Sequence, residues 1–388
     1  MVDAYPKTDC NGCKMCAEIC SHNAIRYETD AEGFWYPKVN ASLCVRCGLC
    51  VKKCPNLTPV RARTQPPDVR AAWSKSDAVR MDSTSGGIFY ELARETLLRG
   101  GYVAACAYDA DFRGAHHALI HAMDDLPPLM TSKHVQSDAR GIYAKTRAAL
   151  ETGAPVLFVG APCQAAALVS FLGREYENLL LCDFVCRGAT SPKAHAKYIE
   201  YLETRYQSRV ISLRSKDKRK GWNHFGQSAR FENGAEYYAS RNDDLRVVAY
   251  HYGNLMMRPS CHVCRFKTIP RTAADITLAD FWGIPENEVE DIEKGVSLVM
   301  LNTERGKERF DAISHRLGVI PKTLEDALKG NPAILRSAEK GENRDRFLSE
   351  LDSKPFDALV AQYRRRPPGL GVRILRRLKR GVAKLLGR

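Results

Sequence analysis

The sequence predicts an α/β protein: a body built on a mixed sheet, preceded by a small α+β module and followed by a helical, basic tail. From about residue 69, short apolar runs alternate with longer segments of helical periodicity, as in α/β domains. The first 55 residues hold eight regularly spaced cysteines, and the last 25 hold ten Lys or Arg and no acidic residue. With 388 residues, the chain is long enough for two or three domains.

These changes in pattern divide the chain into five segments. They are the N-terminal module (1–57), a linker (58–70), the two parts of the body (71–152 and 153–335), and a helical region with the basic tail (336–388). The linker is assigned from TPVRARTQPPDVR, which is rich in Pro and Arg and has no apolar period.

The N-terminal module repeats one cysteine pattern, CxxCxxCxxxC. The first run is Cys10, Cys13, Cys16 and Cys20, and the second is Cys44, Cys47, Cys50 and Cys54. Bacterial two-cluster ferredoxins have this run, and the fourth cysteine of each run binds the other cluster. We therefore predict a ferredoxin-like module with two 4Fe-4S clusters. Their ligands would be Cys10, Cys13, Cys16 and Cys54 for one, and Cys44, Cys47, Cys50 and Cys20 for the other.

A pair of zinc sites is the alternative for these cysteines. Zinc sites also use CxxC pairs, but four ligands suffice for each ion and give no reason to repeat CxxCxxC. Ser21 replaces the proline expected after the first run, which removes no ligand. Residues 33–39, GFWYPKV, predict a strand between the runs, in which Phe34, Trp35 and Tyr36 pack a small core of the module.

The body begins with a predicted hairpin and continues with a predicted βαβ unit. Residues 101–108 and 115–121 have the pattern of paired strands. Residues 154–160 and 178–184 are apolar runs typical of buried parallel strands, and the segment 164–172 between them is apolar at helical spacing. Hairpin and parallel unit together predict a mixed sheet.

Three loops of the body have the character of binding loops. Residues 83–87, STSGG, precede a predicted helix, where small residues and free amides favour an anion such as phosphate. Cys163 lies between a strand end and a helix start, and Cys186 lies just past the next strand. Ligands of parallel sheets bind beyond the carboxyl ends of strands, so the two cysteines are expected to face one crevice.

Cys261 and Cys264 supply two more thiols, followed by an apolar strand at 275–281. Four thiols are the number that one 4Fe-4S cluster requires. A structural zinc site on the same four cysteines is the alternative. Cys106 and Cys182 fall inside predicted strands and are interpreted as small buried core residues.

The ordered motifs resemble the coenzyme F-420 hydrogenase/dehydrogenase beta subunit family. They are STSGGIF (83–89), SKHVQSD (132–138), VGAPCQAAAL (159–168), DFVCRGATSP (183–192), KDKRKGW (216–222), and CHVC followed by ADITLADFWG, which ends at Gly283. With the N-terminal module, the resemblance covers roughly residues 1–300. Ala161 stands where Thr is common in the family, and Arg187 stands where His is typical.

The resemblance implies an iron-sulfur flavoprotein that holds FAD beside a third 4Fe-4S cluster. The implied ligands of that cluster are Cys163, Cys186, Cys261 and Cys264. The predicted cofactor contacts are Ser85, Gly86, Gly87, Lys133, Val135, Gln136, Ser137, Gly160, Gln164, Lys218 and Trp222. Among them Lys133 would contact the flavin phosphates. In KDKRKGW, Trp222 would stack on a ring while Lys218 or Lys220 contacts a substrate or cofactor phosphate, and a solvated basic loop is the alternative. His116, His117, His134, His224 and His262 are candidate proton donors by residue type only, so no catalytic residue is assigned.

The net charge of +14 is concentrated in the tail. The ten basic residues of 364–388 leave +4 on the rest of the chain, 14 less 10, so we expect no nucleic-acid partner. Val372, Leu375, Leu378, Val382 and Leu385 fall near one face of a basic helix, which predicts peripheral contact with an anionic membrane. Docking on a partner and a disordered tail are the alternatives.

We expect a cytoplasmic protein, because the start MVDAYPKTDC lacks a signal-peptide pattern and no run of eighteen apolar residues occurs. The predicted function is that of an oxidoreductase. Electrons would pass from a ferredoxin-like or hydrogenase-type partner through 4Fe-4S clusters to FAD, and then as hydride to a small-molecule acceptor. The resemblance includes bacterial forms associated with surface-polysaccharide synthesis. The alternative is an electron-relay subunit of a larger complex, without a substrate of its own.

Overall fold

The apolar runs of the body form one eight-stranded mixed sheet, accompanied by a two-stranded and a three-stranded sheet. The computed structural model describes residues 1–58, 65–271 and 273–364. The strands are β1 (Ile25–Thr29), β2 (Trp35–Val39), β3 (Asp68–Ser74), β4 (Tyr102–Tyr108), β5 (Ala115–Ile120), β6 (Val156–Gly160), β7 (Leu179–Phe184), β8 (Val210–Asp217), β9 (Gly226–Phe231), β10 (Glu236–Ser240), β11 (Ile276–Asp280), β12 (Ser297–Leu301) and β13 (Leu317–Lys322). The α-helices are α1 (Met15–Glu18), α2 (Leu49–Lys52), α3 (Asp77–Asp82), α4 (Ile88–Leu98), α5 (Ile142–Glu151), α6 (Pro162–Leu172), α7 (Pro192–Tyr206), α8 (Leu245–Val247), α9 (Glu304–Asp311), α10 (Leu324–Gly330), α11 (Arg344–Ser349) and α12 (Phe356–Tyr363).

Four parallel strands, β4, β6, β7 and β11, occupy the middle of the large sheet, whose order is β13-β3-β12-β11-β7-β6-β4-β5. The predicted βαβ unit is confirmed: β6 and β7 pair in parallel, and α6 connects them. Pro162 opens α6, where its missing N–H costs nothing, and Gly173 ends the helix with φ of 68°. The strands are buried on both faces, which explains their continuous apolar runs.

Antiparallel strands complete both edges of the large sheet. The predicted hairpin is β4 and β5, with Val103 opposite Ile120. At the other edge β3 lies between β12 and β13, and it begins at Asp68. The predicted linker therefore ends too late, because Val69 is a buried strand residue. The partners of β3 lie more than 200 residues further along the chain, so no local hairpin signal marks it.

A second layer forms around α7 and the three-stranded sheet β10-β9-β8. Ser191 caps α7 by accepting a hydrogen bond from the Ala194 amide at 3.2 Å. Tyr198 and Leu202 on α7 share an apolar cluster with Val360 of α12. The part of the helical region that the structure describes, 336–364, therefore packs onto the body.

The N-terminal module is built on the β1-β2 hairpin and lies against the body. Phe34 is fully buried, but in the cluster around α7 and not in a core of the module. Tyr36 lies under the Arg258 guanidinium of the body, 4.2 Å from ring centroid to Cζ. The prediction that these rings pack the module alone is wrong, because so small a module has too little interior for large rings.

Within the described residues, no helix is long and apolar enough to cross a membrane. The amphipathic tail on which membrane contact is predicted, 365–388, lies outside the described residues, as does 59–64 of the linker.

Candidate iron-sulfur and cofactor site

The first three cysteines of the first run lie together with the last cysteine of the second. This inner set, Cys10, Cys13, Cys16 and Cys54, lines one cavity. The Cys16 Sγ lies 2.9 Å from the Tyr27 hydroxyl. Burial raises the pKa of Cys16 to about 12, so its thiolate is unfavourable without a cation. The inner set has the composition that ferredoxin spacing predicts for one cluster.

A second cavity is lined by the outer set, Cys20, Cys44, Cys47 and Cys50. It is closer to solvent than the inner set, since Cys47 is exposed whereas Cys16 is buried. The outer set again takes three thiols from one run and one from the other, as the spacing predicts.

The two cysteine loops share a backbone conformation. Gly12 and Lys14 have φ of 67° and 66°, and the equivalent Arg46 and Gly48 have φ of 56° and 72°. These left-handed residues stand on either side of the middle cysteine and curl the chain, so that three thiols of one loop turn inward. A Cβ at Gly12 would lie 2.2 Å from Gln136 Nε2, so glycine is also needed for contact with the body.

Four further cysteines, the third set, come together from separate parts of the body. Cys163 is the second residue of α6, just beyond the carboxyl end of β6, and Cys186 follows the end of β7. Cys261 lies in the 3-10 helix Pro259–Val263, which Cys264 ends. Because β6 and β7 are adjacent and parallel, their carboxyl ends open on the same edge of the sheet.

The thiols of the third set lie near enough to influence one another's ionisation. Burial raises the pKa of Cys163 well above its ordinary value, and nearby Cys186 and Cys264 raise it further. Burial raises the pKa of Cys186 to about 12, and Cys261 adds to the effect. The Ala189 amide donates to the Cys261 Sγ at 3.3 Å. Thiolates buried this closely need a metal as their counter-charge.

Within residues 1–58, 65–271 and 273–364, no three His, Cys, Asp or Glu side chains converge as ligands of a single metal ion. A 4Fe-4S cluster makes a different demand, because each of its four irons takes one thiolate. The three sets consist of thiols alone, and that donor chemistry fits iron-sulfur clusters.

The three sets form a series. Cys50 of the outer set lies near enough to Cys54 of the inner set to raise the pKa of that thiol, after the larger effect of burial. Cys13 of the inner set acts in the same way on Cys163 of the third set, and both pack in one apolar cluster with Cys264. The order outer, inner, third therefore runs from the exposed thiol into the body.

The loop before α4, predicted as a cofactor contact, packs tightly on β3 and β12. The Gly86 amide donates to Ser297 Oγ at 2.9 Å, and a Cβ at Gly86 would lie 2.5 Å from the Ala72 carbonyl oxygen. Ser85 Oγ donates to a carbonyl just before β12 at 2.8 Å. Gly87 has φ of 91° at the start of α4. Close packing and the helix start explain the glycines, and cofactor contacts by this loop stay a prediction.

Lys218 fastens this loop to its neighbours. Its Nζ donates to the carbonyl oxygens of Ser85 at 2.8 Å and Lys294 at 2.6 Å, and also to that of Arg80. Burial lowers the pKa of Lys218 to about 7. All three ammonium hydrogens are directed at protein carbonyls, so the predicted phosphate contact does not exist in this arrangement.

Trp222 is a core residue in this structure. Its ring stacks on Trp282, with centroids 4.6 Å apart and planes 5° apart, and its Nε1 donates to Asp280 Oδ1 at 2.9 Å. Only 1% of its surface is exposed. The predicted stacking on a cofactor ring is therefore replaced by stacking on a neighbouring indole, which the sequence does not reveal because sixty residues separate the two rings.

The predicted segment 133–137 lies beside the loop that follows Cys186. Thr190 Oγ1 donates to the His134 carbonyl oxygen at 2.6 Å, and the Gln136 amide donates to the Thr190 carbonyl oxygen at 3.1 Å. Val135, which lies between His134 and Gln136 in the sequence, is also buried. The Gln136 side chain reaches the inner set's loop and donates to the Gly12 carbonyl oxygen at 3.3 Å. This segment therefore adjoins both the inner and the third set.

Ser137, Gln164 and Gly160 form a small network at the same sheet edge. Gln164 Nε2 donates to Ser137 Oγ at 3.0 Å, and Gln164 Oε1 accepts from the Ala161 amide at 3.0 Å. His117 Nδ1 lies 3.1 Å from Ser137 Oγ. Gly160, at the end of β6, leaves room for Gln164, whose Cβ would lie 3.2 Å from an added Cβ.

A basic cluster that the sequence does not predict lies next to the third set: His134, Arg187, Lys216, Arg246 and His251. The His134 and His251 rings are 6.0 Å apart. Burial lowers the pKa of His134 well below its ordinary value, and Arg246 lowers it further. Burial also lowers the pKa of His251 to about 3, with Arg187 the next cause. Only His134, Arg187 and Lys216, which lie within motifs, carry a signal in the sequence.

Among the described residues, two carboxylates act on the three cations of the basic cluster: Asp280 beside Lys216, and Asp244 near Arg246. Lys216 pairs with Asp280. Arg246 instead donates to neutral groups, the Lys133 carbonyl oxygen at 3.0 Å and Ser215 Oγ at 2.6 Å. The Nε of Arg187 is buried and finds no acceptor among the described residues. Because buried positive charge is costly without a counter-charge, this region favours an anionic ligand.

Two buried cations join the module to the body. Lys14 Nζ pairs with Asp138 Oδ1 at 2.8 Å and lies 3.8 Å from the Trp35 ring centroid. Arg258 Nε donates to the Cys10 carbonyl oxygen at 2.7 Å, and its Nη2 donates to the Trp35 carbonyl oxygen at 2.9 Å. These contacts hold the inner set against the third set.

Comparison with known proteins agrees with the sequence patterns. Residues 153–325 match the family described as coenzyme F420 hydrogenase/dehydrogenase, C terminus of the beta subunit, and residues 9–57 match the 4Fe-4S dicluster domain. No curated protein matches the sequence significantly. Among solved structures, a chain of the F420-reducing NiFe hydrogenase complex from Methanosarcina barkeri is 16% identical, with a TM-score of 0.46 over 77% of this chain and 92% of that chain.

The predicted two-cluster module and the predicted family resemblance are both confirmed. The α/β body with a mixed sheet behind a ferredoxin-like module is the predicted fold class. This chain therefore joins a 4Fe-4S dicluster domain to the C-terminal domain of the coenzyme F420 hydrogenase/dehydrogenase beta subunit family, and its chemistry is of the oxidoreductase type.

Proposed function

We propose that this protein is an iron-sulfur flavoprotein oxidoreductase, which moves electrons between an external redox protein and a small-molecule hydride acceptor. The observation that carries the proposal is the series of three thiol sets that ends beside the basic cluster. Each set offers four thiols, the complement of one 4Fe-4S cluster. The assignment of the individual cysteines to three clusters is part of the proposal.

FAD is the cofactor that this arrangement fits. Its diphosphate is an anion, and the basic cluster presents buried positive charge, including the Arg187 Nε that no described residue accepts from. When bound, a flavin supplies a carrier that exchanges single electrons with clusters and paired electrons, as hydride, with a substrate. Arg187 and Lys133 would hold the phosphates, while Ser137 and Gln164 would stand at the sheet edge near the third set.

The third set can be tested without knowing the substrate, because the iron content of the protein reports whether its four thiols bind a cluster. We expect anaerobically purified protein to hold about twelve irons per chain, as three clusters require. The Cys264→Ala variant should hold about eight and should lose reduction of flavin through the clusters. The control is Cys182→Ala, which removes a buried thiol of β7 outside all three sets. An unchanged iron content in the Cys264→Ala variant would refute the assignment.

The flavin is tested separately by extraction of bound cofactor. Lys133 is buried, and its Nζ donates to the carbonyl oxygens of Met130 at 2.5 Å and Thr131 at 3.0 Å, which leaves one hydrogen for a ligand. Lys133→Met should retain all irons and lose most of its FAD. The exposed Lys145 of α5 gives the control Lys145→Met. Equal flavin in both variants would place the phosphates elsewhere.

An enzyme and a relay subunit differ in the last step. We propose an enzyme, and we include surface-polysaccharide metabolism as the setting that the resemblance favours. Reduced protein should then be reoxidised without oxygen by one member of a panel of deazaflavin, nicotinamide and nucleotide sugars. A relay subunit would be reoxidised only by a partner protein.

The proposal also includes peripheral contact of the basic tail with the inner face of a membrane. Sedimentation with vesicles containing anionic lipid tests it, with a chain shortened after Arg364 as the control. Equal sedimentation of both chains would remove the tail from the proposal.

A further inference from the structure

The three thiol sets differ in how exposed their cysteines are to solvent. Cys47 is exposed, and every other cysteine of the described residues is buried or half-buried. An external redox protein must bring its own centre near one of the sets. The outer set is therefore where such a protein can approach most closely.

The surface around Cys47 is apolar and basic. Leu43, Val45 and Leu49 expose 48%, 59% and 36% of their surfaces, which is unusual for large apolar side chains so close together in the chain. Arg46 and Lys52 are exposed beside them. We call these five residues the outer patch.

The charged side chains that line the cavity of the outer set are basic. Among the described residues, the cavity of the outer set has no acidic residue in its lining, which includes Arg46 and His22. The cavity of the inner set differs, since Asp9 belongs to its lining. An apolar centre with a basic rim complements a partner that has an apolar contact ringed by carboxylates.

We propose that the outer patch is the docking surface for a small acidic electron-carrier protein. This inference rests on the proposed function, because it requires the outer set to hold the cluster that exchanges electrons with a partner. Val45 and Leu49 would be buried at the centre of the contact, and Arg46 and Lys52 would steer the carrier by charge.

The test is stopped-flow reduction of anaerobic holoprotein by a reduced, acidic bacterial two-cluster ferredoxin. The variant is Arg46→Glu with Leu49→Asp. The matched control is Arg99→Glu with Leu98→Asp at the end of α4, where Leu98 exposes 62% of its surface and Arg99 is also exposed. Iron content and the electron paramagnetic resonance spectra of the reduced clusters establish that each variant is intact.

We expect the bimolecular rate of the outer-patch variant to fall at least about tenfold at low salt, because steering alone contributes a factor of about 10 or more. The control should stay within about twofold of the parent, and only the parent and control should lose rate steeply as salt rises. Equal rates in the two variants, or faster reduction by a basic carrier than by the acidic one, would overturn the proposal. Failure of the proposed function itself looks different, since the parent would then lack the irons or the flavin.

Discussion

Replacement of Arg258 tests whether the hydrogen bonds of this buried arginine stabilise the contact between module and body by more than the burial of its charge destabilises it. Arg258 is fully buried and donates to three acceptors: the Cys10 carbonyl oxygen at 2.7 Å, the Trp35 carbonyl oxygen at 2.9 Å and Gln136 Oε1 at 3.1 Å. Its guanidinium also stacks on Tyr36. In Arg258→Met all three acceptors lose a charged donor.

A hydrogen bond to a charged group contributes about 1.5–3 kcal/mol, and losses within one network are not additive. Methionine restores part of the apolar packing, so we expect Arg258→Met to lower the free energy of unfolding by about 3–5 kcal/mol. The control is Arg265→Met. Arg265 also bridges to the module, through the Asn56 carbonyl oxygen at 3.1 Å, but its side chain is 54% exposed, so it should contribute less than about 1 kcal/mol.

The assay is anaerobic thermal unfolding at one scan rate, followed by circular dichroism and by the visible absorbance of the clusters. With about 2.1 cal/mol/K of unfolding entropy per residue, a chain of 388 residues shifts by about 1.2 °C per kcal/mol, so Arg258→Met should unfold about 4–6 °C below the parent and Arg265→Met within about 1 °C of it. If Arg258→Met is as stable as the parent or more stable, the desolvation of the guanidinium exceeds the value of its hydrogen bonds, and the reasoning fails.

Three further predictions concern other residues at the boundary of the module and in the core. Phe34→Ala should lower the free energy of unfolding by about 3–5 kcal/mol, because Phe34 fills the body's core. The control Tyr5→Ala, at an exposed ring, should lower it by less than about 1 kcal/mol. Chemical denaturation measures both values. Burial lowers the pKa of His195 to about 3, so the folded state resists a proton that the unfolded state takes up below pH 6.5. Stability should therefore fall as pH drops from 6.5 to 5, by about 1.5 kcal/mol more in the parent than in His195→Gln, and parallel pH profiles would contradict this. Lys14→Met removes a buried positive charge beside the inner set and should lower the reduction potential of that cluster alone. A redox titration followed by electron paramagnetic resonance would detect the change. The control is Lys38→Met at an exposed lysine, which should change no reduction potential.

The sequence was sufficient for features whose interactions are local. CxxCxxC spacing predicted which four thiols share a cavity in the module, because three of them lie on one short curled loop. Apolar periodicity predicted the βαβ unit and the hairpin, and both were confirmed. The position of Cys163 and Cys186 at strand ends predicted a common sheet edge, because adjacent parallel strands end on the same side.

The tertiary structure decided what depends on contacts between distant parts of the chain. Phe34 looked like a module residue and lies in the body's core, while Trp222 looked like a ligand platform and is covered by Trp282. The basic cluster draws His134 and Arg187 from two separate loops and His251 from the π-helix Val248–Tyr252, and no spacing rule connects them. The physical reason is that residue spacing encodes geometry over one or two turns of chain, whereas burial and charge balance are set by whichever surfaces pack together after the chain has folded.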